Sequence, residues 1–485
     1  MMDKMMDIDL MDEFESPASQ KLNMKRPAIV PIDDNHPFDL DAYINTYSGR
    51  TQIDRLIFLL PMCPTLAPQA YIMALQLIQK SRDTTQIHQL NQAYDSVLAV
   101  DSSLPSLADL PTVEQKWAED TNSRNNADRQ RLEVELKTYS SNMIKESIRM
   151  AYRDLGDFYR STGDFSTSLK HYTKSREFCT TGQHVLDMCM SVLELLLEQR
   201  NYAHITTYVF KADAALESST TIGRTASSGA QSAPPSREKI AAEREKVQTK
   251  LDAAAALANL GQGAYDKAAK YFLKLGPIKG LEHWASTIVS PSDIAIYTTL
   301  CALATFHRSV IKAQLLDNDN FSVYMEQEPY VREIITAYLS SRFNVVLENL
   351  ERFSTRHNID IQLSGHVAAL TNQIRSRAIV LYFQPFASIK LDRMSTAFGW
   401  TNEQLEQQVV SLIEAGEIQA RVDRQNQILK AKETDQRAVL FSRALKAGQD
   451  MAAANRKLLL RMRLQQADLT IKVPRSLMHP SEYLQ

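Results

Sequence analysis

Hydrophobic residues recur at helical spacing along most of the chain, so the sequence predicts a mostly α-helical protein. Amphipathic segments begin near Phe38 and continue to about residue 100, before a region with Pro and Asn at 101–127. Residues 1–36 show no sustained periodicity and few apolar runs. We therefore interpret 1–36 as a disordered N-terminal tail and expect ordered structure from about residue 37.

One stretch has the spacing of a tetratricopeptide unit, which is a pair of antiparallel helices. Its aromatic, small and turn residues are Tyr152, Leu155, Gly156, Tyr159, Gly163, Phe165, Ser168 and Tyr172. Related turns follow at Asn201–Tyr202, at Gly263–Tyr265 and, in degenerate form, at Arg342–Phe343. The number of residues between successive turns is not constant. We predict a TPR-like right-handed helical solenoid, with a helical-repeat arm over 37–285.

A composition shift interrupts this arm at 217–237, where Ser, Thr, Gly, Ala and Pro predominate. Such a segment buries too little apolar surface to offset the loss of chain entropy on folding. We predict that 217–237 is a disordered surface insertion.

After the repeats, the pattern predicts a small winged helix. A helix is expected from about Ser388 to Gly399, with its apolar residues on one face. Thr401 and Gln404 have the spacing of a capping box and open a second helix, 401–415, which Gly416 ends. Alternating residues then predict two strands, at 417–423 and 427–431.

We expect the strands to contribute to a subunit interface, because an open strand edge presents unpaired N–H and C=O groups. The edge could belong to 417–423 or to 427–431. The predicted interface residues on these strands are Ile418, Ala420, Val422 and Ile428.

Helix 401–415 would be the DNA-reading helix of a nucleic-acid-binding winged helix. Its only charged residues are Glu403, Glu406 and Glu414, with no Lys or Arg. Carboxylates would repel the phosphates of a DNA duplex. The pattern therefore favours a structural winged helix and argues against direct nucleic-acid reading.

A long helical pattern occupies 433–470 and is followed by a tail, 471–485. Residues spaced alternately four and three apart form a heptad-like row, typical of helices that bundle with partners. The predicted interface residues in this row are Phe441, Leu445, Ala452, Asn455, Leu459, Met462 and Leu469. The alternative is that the helix folds back on its own wing.

Composition indicates a globular protein without membrane spans. The chain has 485 residues, 44% of them hydrophobic, and a net charge of −2. No apolar run reaches the roughly 18–20 residues of a membrane helix, and the N-terminal region lacks the apolar core of a secretory signal. Four scattered cysteines without a CxxC pair indicate a reducing compartment, the cytosol or the nucleus.

Charge is distributed unevenly, and this opens a second functional alternative. Residues 430–475 contain eleven basic and four acidic residues. The basic set around Arg456, Lys457, Arg461 and Arg463 could bind RNA, in which case affinity would fall steeply with salt.

Catalytic motifs are not found. The sequence contains no HExxH, no GxxxxGK[ST], no GxSxG and no HxH pair. His184, Asp187 and Cys189 form the nearest approach to a metal cluster, and we interpret them as part of a packed helix face. We predict no catalytic residue, no metal, no cofactor and no enzymatic activity.

A helical solenoid followed by a winged helix and a bundling helix is the layout of PCI-domain subunits. Within that group, the sequence resembles the COP9 signalosome subunit 1 family over roughly 140–432. The segments that carry the resemblance are Arg153–Asp157 (RDLGD), His184–Cys189 (HVLDMC), Pro291–Arg308, Asn372–Ala378 (NQIRSRA), Arg393–Phe398 (RMSTAF) and Gly416–Ala431.

The resemblance implies a PCI domain over 286–432, with its winged helix at 380–432. It also implies a non-catalytic scaffold in a complex that removes NEDD8 from cullins, with the JAMM isopeptidase in a different subunit. Expected partners are other signalosome subunits, through wings and C-terminal helices, with cullin-RING ligases as substrates of the complex. The expected location is nucleus and cytoplasm. The alternative is a PCI subunit of the proteasome regulatory lid, which has the same architecture.

Overall fold

A computed structural model of the protein describes residues 30–101, 103–111, 115–225, 237–432 and 436–469. It confirms a mostly α-helical fold with one small sheet in the described residues. The chain divides into two compact units. The first contains the described residues up to Gln384 together with Ser395–Thr401, and the second contains Pro385–Met394 and the described residues from Asn402 onward.

The first unit begins with four helices that share one hydrophobic core. They are α1 (Leu40–Asn45), α2 (Arg50–Leu59), α3 (Ala67–Ile78) and α4 (Thr85–Leu98). Order starts earlier than predicted, because Val30 is buried and its N–H donates to the Met62 carbonyl at 2.9 Å. The prediction of disorder is therefore wrong for 30–36, where buried Val30 and a hydrogen bond from the Thr355 hydroxyl to the Pro31 carbonyl hold the chain in place. The rest of that predicted tail, 1–29, lies outside the described residues.

Seven helices of the repeat arm follow. They are α5 (Gln115–Ser141), α6 (Lys145–Ser161), α7 (Phe165–Ser175), α8 (Gly182–Glu198), α9 (Ile205–Thr225), α10 (Arg237–Gly261) and α11 (Tyr265–Leu273). The predicted tetratricopeptide-like unit is the α6–α7 pair. Gly163, in the turn between them, has φ of +88°, a conformation that glycine adopts without a steric penalty.

Close packing of α6 on α7 explains the Leu-Gly signal in the sequence. A Cβ atom added to Gly156 would lie 2.4 Å from the Tyr172 ring, so only glycine fits beside that ring. The Ser168 hydroxyl donates to the Gly156 carbonyl at 2.8 Å, and the Tyr172 hydroxyl donates to Asp157 at 2.6 Å. The motif residues therefore fix the distance between the two helices.

The predicted insertion at 217–237 is partly helical. Residues 217–225 continue α9, and α10 begins at Arg237, so the prediction is wrong for these positions. Ser, Thr and Ala can extend a helix already nucleated by a packed first part, and the first Pro of this segment comes only at Pro234. The remaining part, 226–236, lies outside the described residues.

The first unit is completed by eight further helices. They are α12 (Trp284–Thr287), α13 (Pro291–Thr305), α14 (Arg308–Ile311), α15 (Asp319–Met325), α16 (Pro329–Leu339), α17 (Phe343–Arg352), α18 (Ser354–Ile359) and α19 (Val367–Phe383). A π-helical turn, Lys312–Leu316, follows α14. Short 3-10 turns occur at Pro64–Leu66, Arg176–Phe178 and Ile278–Gly280. Helix α13 is buried on nearly all sides, and α16 and α17 form the predicted degenerate repeat.

The second unit contains most of the predicted winged helix and the long helix after it. Its strands are β1 (Ser388–Lys390), β2 (Ala420–Asp423) and β3 (Ile428–Ala431). The helices of the region are α20 (Leu391–Phe398), α21 (Asn402–Glu414) and α22 (Gln436–Gln466). A helix was predicted from about Ser388, but Ser388–Lys390 forms a strand instead. Three residues are too few to show an alternating pattern, and the pairing partner is 40 residues away in sequence.

Two arginines and two aspartates form a buried charge network that joins the N-terminal helices to α13 and α18. Arg55, on α2, is 1% exposed and donates to Asp360 at 2.7 Å and to Asp293 at 3.3 Å. Arg356 donates to the other oxygen of Asp293 at 2.6 Å. Since the network contains two cations and two anions, its net charge is zero.

Tyrosine hydroxyls donate hydrogen bonds to both carboxylates of this charge network. Tyr47 donates to Asp293, and Tyr297 donates to Asp360 at 2.5 Å. Burial alone would raise the pKa of Asp360, but the charges of Arg55 and Arg356 outweigh burial and hold that pKa below its usual value. Burial also raises the pKa of Tyr47 well above normal, so this hydroxyl stays protonated and donates. The lowered pKa keeps Asp360 ionised, and both of its carboxylate oxygens accept hydrogen bonds from protein groups.

We expect Arg55→Met to lower the free energy of unfolding by about 3–5 kcal/mol, because it leaves buried carboxylates with one cation instead of two. The measurement is urea unfolding monitored by circular dichroism. The control is Arg82→Met, which removes an arginine that is 57% exposed in its side chain and pairs with Asp128 at 2.9 Å. That exposed pair contributes about 0–1 kcal/mol. Equal losses in the two variants would contradict a special role for the network.

Candidate subunit-interaction surfaces

The wing is a three-stranded antiparallel sheet in the order β1-β3-β2. Ile389 of β1 lies opposite Leu429 of β3, and Val422 of β2 lies on the other side of the same Leu429. Leu429 is completely buried and anchors the sheet, although it was not among the predicted residues. The predicted strand 427–431 is therefore the central strand.

The central position of β3 decides which of the two predicted strands can be an open edge. Leu391 N–H donates to the Gln427 carbonyl at 2.8 Å on one side of β3, and Lys432 N–H donates to the Gln419 carbonyl at 2.9 Å on the other. Strand 427–431 cannot be an open edge, because its backbone groups alternate between two neighbours. The edge available for pairing on this side of the sheet is β2.

Hydrogen-bond alternation along β2 identifies which groups face outward. Gln419 bonds with Lys432, so in the antiparallel register the next bonded residue of β2 is Arg421 and then Asp423. The N–H and C=O groups of Ala420 and Val422 therefore point away from β3. These are the groups that an added strand would use.

The four predicted interface side chains of the wing differ in exposure. Ile418 and Ala420 are 4% and 7% exposed, so their side chains belong to the wing's own core. Val422 and Ile428 are half-buried. Ile418 also lies just before β2 rather than in it, and its N–H donates to the Leu412 carbonyl at 3.2 Å. Contact between these residues and a partner stays a prediction. It would use mainly backbone groups and the exposed parts of the Val422 and Ile428 side chains.

Helix α21 has the acidic character that the sequence predicted. Leu405, Val409 and Leu412 are buried, and Gly416 has φ of +78° as expected for the residue that ends the helix. Glu406 forms an ion pair with Arg424 in the turn between β2 and β3. Because the Arg424 side chain is 82% exposed, the pair contributes only about 0–1 kcal/mol to the contact between this turn and α21.

Helix α22 is exposed along its whole described length. Every described residue from 437 to 469 is exposed, including Phe441 at 71% and Leu459 at 56%. The alternative that this helix folds back on its own wing is therefore wrong. The helix ends at Gln466, three residues before Leu469, which lies outside the helix after Asp468 with φ of +52°.

The remaining predicted residues of the α22 row share one side of the helix. At about 100° per residue, their directions fall within an arc of about 100°. These residues are Phe441, Leu445, Ala452, Asn455, Leu459 and Met462. A continuous apolar row with one polar residue, exposed in the free chain, is a surface suited to helix bundling.

The basic residues of α22 do not form a single stripe. By the same helical periodicity, Arg456 and Arg463 lie close to one direction, whereas Lys457 and Arg461 lie about 100–160° away. A phosphate backbone running along the helix would meet only half of these cations. This geometry gives no support to the RNA-binding alternative.

The candidate metal cluster is not assembled. Cys189 is buried, and burial raises the pKa of its thiol to about 11. Asp187 accepts from Gln183 at 3.0 Å, and His184 lies 3.7 Å from Glu146. Among the residues that the structure describes, no group of three or more His, Cys, Asp or Glu side chains could hold a metal ion. None of the described helices is long and apolar enough to cross a bilayer.

Helical repeats followed by a winged helix and an exposed terminal helix define a PCI-domain protein. Two family models match the chain: the one described as 26S proteasome subunit RPN7 over 114–314, and the PCI domain over 337–433.

Individual relatives specify the family further. The chain is 35% identical to COP9 signalosome complex subunit 1 of Arabidopsis thaliana, over 90% of this chain and 91% of that protein. It is 31% identical to COP9 signalosome complex subunit 1b of Drosophila melanogaster, over 91% and 88%. It is 19% identical to 26S proteasome non-ATPase regulatory subunit 6 of Oryza sativa subsp. japonica, over 39% and 49%. The chain belongs to the COP9 signalosome complex subunit 1 family.

Strand pairing through β2 is testable at Val422. We expect Val422→Pro to abolish assembly with a neighbouring winged helix, because proline removes the outward N–H while the bonds from β2 to β3 use other residues. Val422→Ala keeps that N–H and should assemble normally. The measurement is the yield of the tagged chain in complex by size-exclusion chromatography. Normal assembly of the proline variant would show that the β2 edge is not used.

Proposed function

We propose that this chain is a non-catalytic scaffold subunit of a COP9 signalosome, a complex that removes NEDD8 from cullins in cullin-RING ubiquitin ligases. The observation that carries the proposal is the 35% identity to a signalosome subunit 1 over 90% of the chain. The catalytic step would belong to a JAMM isopeptidase in another subunit. Cullin-RING ligases would be substrates of the whole complex.

Two surfaces of the second unit would perform the scaffold role. The β2 edge would pair with the wing of a neighbouring PCI subunit, which satisfies backbone groups that otherwise bond only to water. The α22 row would pack among the terminal helices of other subunits and remove its apolar side chains from water. The two surfaces differ in chemistry, so each can recruit a different contact within one complex.

The proteasome lid is the alternative assembly for a chain of this architecture. The relative of that kind from Oryza sativa subsp. japonica matches at 19% identity over 39% of this chain, well below the signalosome relatives in both measures. The larger and more complete similarity therefore supports the signalosome. We further propose that the chain acts in nucleus and cytoplasm, which imaging of the tagged chain would test.

Affinity purification of the tagged chain tests the proposed function. We expect a complex of several PCI subunits with a JAMM isopeptidase, and we expect cullins to accumulate in the NEDD8-modified form when the chain is deleted. Subunits are identified by mass spectrometry and cullins by immunoblot. Co-purification of proteasome ATPases, with cullin modification unchanged, would assign the chain to the lid instead.

Bundling through α22 is testable with matched substitutions on opposite sides of the helix. We expect Leu445→Asp to reduce recovery of the chain in complex at least ten-fold, because a carboxylate in a helix bundle is desolvated without a partner. Val439→Asp is the control, since Val439 is similarly exposed, 58% against 53%, but faces away from the row. Neither change should shift the melting temperature of the free chain. Equal recovery of the two variants would refute bundling through the row.

A further inference from the structure

A shallow groove of about 550 Å³ lies in the first unit, between the segment that starts α14 and the end of α16. Its walls combine two cations, three hydroxyl groups and one leucine. The lining residues are Arg308, Ser309, Lys312, Thr336, Leu339 and Ser340. No carboxylate lines the groove, so its field is positive, although the chain as a whole has a net charge of −2.

The two cations are positioned differently. Arg308 is held in place, because its guanidinium donates to the Leu339 carbonyl and to the Ser341 hydroxyl at 2.9 Å. Lys312 is exposed and begins the π-helical turn, and within the described part of the chain its ammonium has no hydrogen bond or ion pair. π-Helical turns are rare and occur frequently at functional sites. The groove thus offers one fixed and one free positive charge beside an apolar wall.

An acidic and apolar segment of matching chemistry occurs in the same chain. Met1–Glu15 contains six carboxylates and one lysine, and its other residues are Met, Ile, Leu and Phe. The carboxylates complement Arg308 and Lys312, and the apolar side chains complement Leu339. The segment Met1–Glu15 and the groove are therefore complementary in both charge and hydrophobicity.

The anchor of the N-terminal region lies within reach of the groove. Val30 is fixed at Met62, and the Pro31 carbonyl accepts from the Thr355 hydroxyl at 2.7 Å. Thr355 comes just after Phe353, whose ring stacks on Tyr330 at 3.8 Å, so the anchor is at the start of α16. The groove is at the other end of this helix.

The lengths agree with an intramolecular contact. Helix α16 spans 11 residues, which is about 16 Å at 1.5 Å per residue. A flexible linker of the length that separates Glu15 from Val30 would have an end-to-end distance of about 20 Å. A linker whose length matches the span gives an effective concentration on the order of 1 mM. Even a weak contact would then be populated.

We propose that Met1–Glu15 docks in cis into this groove, with its carboxylates on Arg308 and Lys312. The docked segment covers the cationic groove and excludes other acidic peptides from it. The proposal uses no residue of the β2 edge or of α22, so it is independent of the proposed scaffold function.

The test is a competition between the chain's own segment and a synthetic peptide. The peptide has the sequence of Met1–Glu15 and carries a fluorophore. It is titrated with two full-length proteins: the unaltered chain and a neutralised chain with Asp7→Asn, Asp9→Asn, Asp12→Asn and Glu13→Gln. For a peptide Kd of about 0.1 mM, we expect about ten-fold tighter binding to the neutralised chain, because there the groove is free.

Substitutions in the groove identify the site of binding. Lys312→Glu in the neutralised chain should weaken peptide binding about ten-fold, since it replaces an attractive charge by a repulsive one. Lys267→Glu is the matched control, because Lys267 is also exposed but lies on α11, away from the groove. Circular dichroism confirms that each variant is folded. No peptide binding to the neutralised chain would overturn the proposal. Equal binding to the neutralised and unaltered chains would also overturn it and would assign the groove to acidic peptides of other proteins.

Discussion

The buried charge network of Arg55, Arg356, Asp293 and Asp360 is the interaction on which the first unit depends. It joins residues separated by up to 305 positions in sequence. Removing four charges from water is costly, and the cost is offset only when every charge has an opposite partner and every lone pair a donor. The tyrosine hydroxyls and the backbone N–H groups of Gln362 and Leu363 supply those donors. Through these contacts the network links the N-terminal helices to α13 and to the end of α18.

Helix packing in the repeats depends on a different constraint, the steric fit of aromatic rings against glycines. Rings lie over residues without side chains: Tyr172 over Gly156, and Tyr202 over Gly261, where an added Cβ would come within 2.3 Å of the ring. Each ring fills the gap between two helices and fixes their separation. Together, the charge network and these contacts give a first unit whose side chains are largely satisfied internally.

The second unit has the opposite character. Its wing is compact and anchored by Leu429, but the β2 edge keeps outward backbone groups, and α22 keeps a row of exposed apolar residues. Exposed apolar rows of this length are unfavourable in water and are typical of surfaces that other proteins cover. A subunit whose first unit is packed internally, and whose β2 edge and α22 row remain exposed, is suited to the role of a scaffold. The family relationship leads to the same role from independent evidence.

The sequence by itself determined the elements that depend on local spacing. The helical pattern, the tetratricopeptide-like pair, α21 and its terminator Gly416 all follow from interactions within a few residues, which periodicity records. The row on α22 was also predictable, because a heptad pattern is local. The sequence favoured bundling of α22 with partners but left open that α22 folds back on its own wing, since burial depends on what the rest of the chain covers.

Tertiary structure decided the features that depend on distant residues. Strand β1 and the central place of β3 come from pairing across about 40 residues, and the short strands have no pattern of their own. Docking of 30–36 rests on Val30 meeting Met62 and on Pro31 meeting Thr355. Arg55 looked like an ordinary helix residue, because nothing in the sequence near it indicates Asp293 or Asp360. Charges and strand edges acquire their roles only when the fold brings their partners to them, whereas helical periodicity is already present in the unfolded chain.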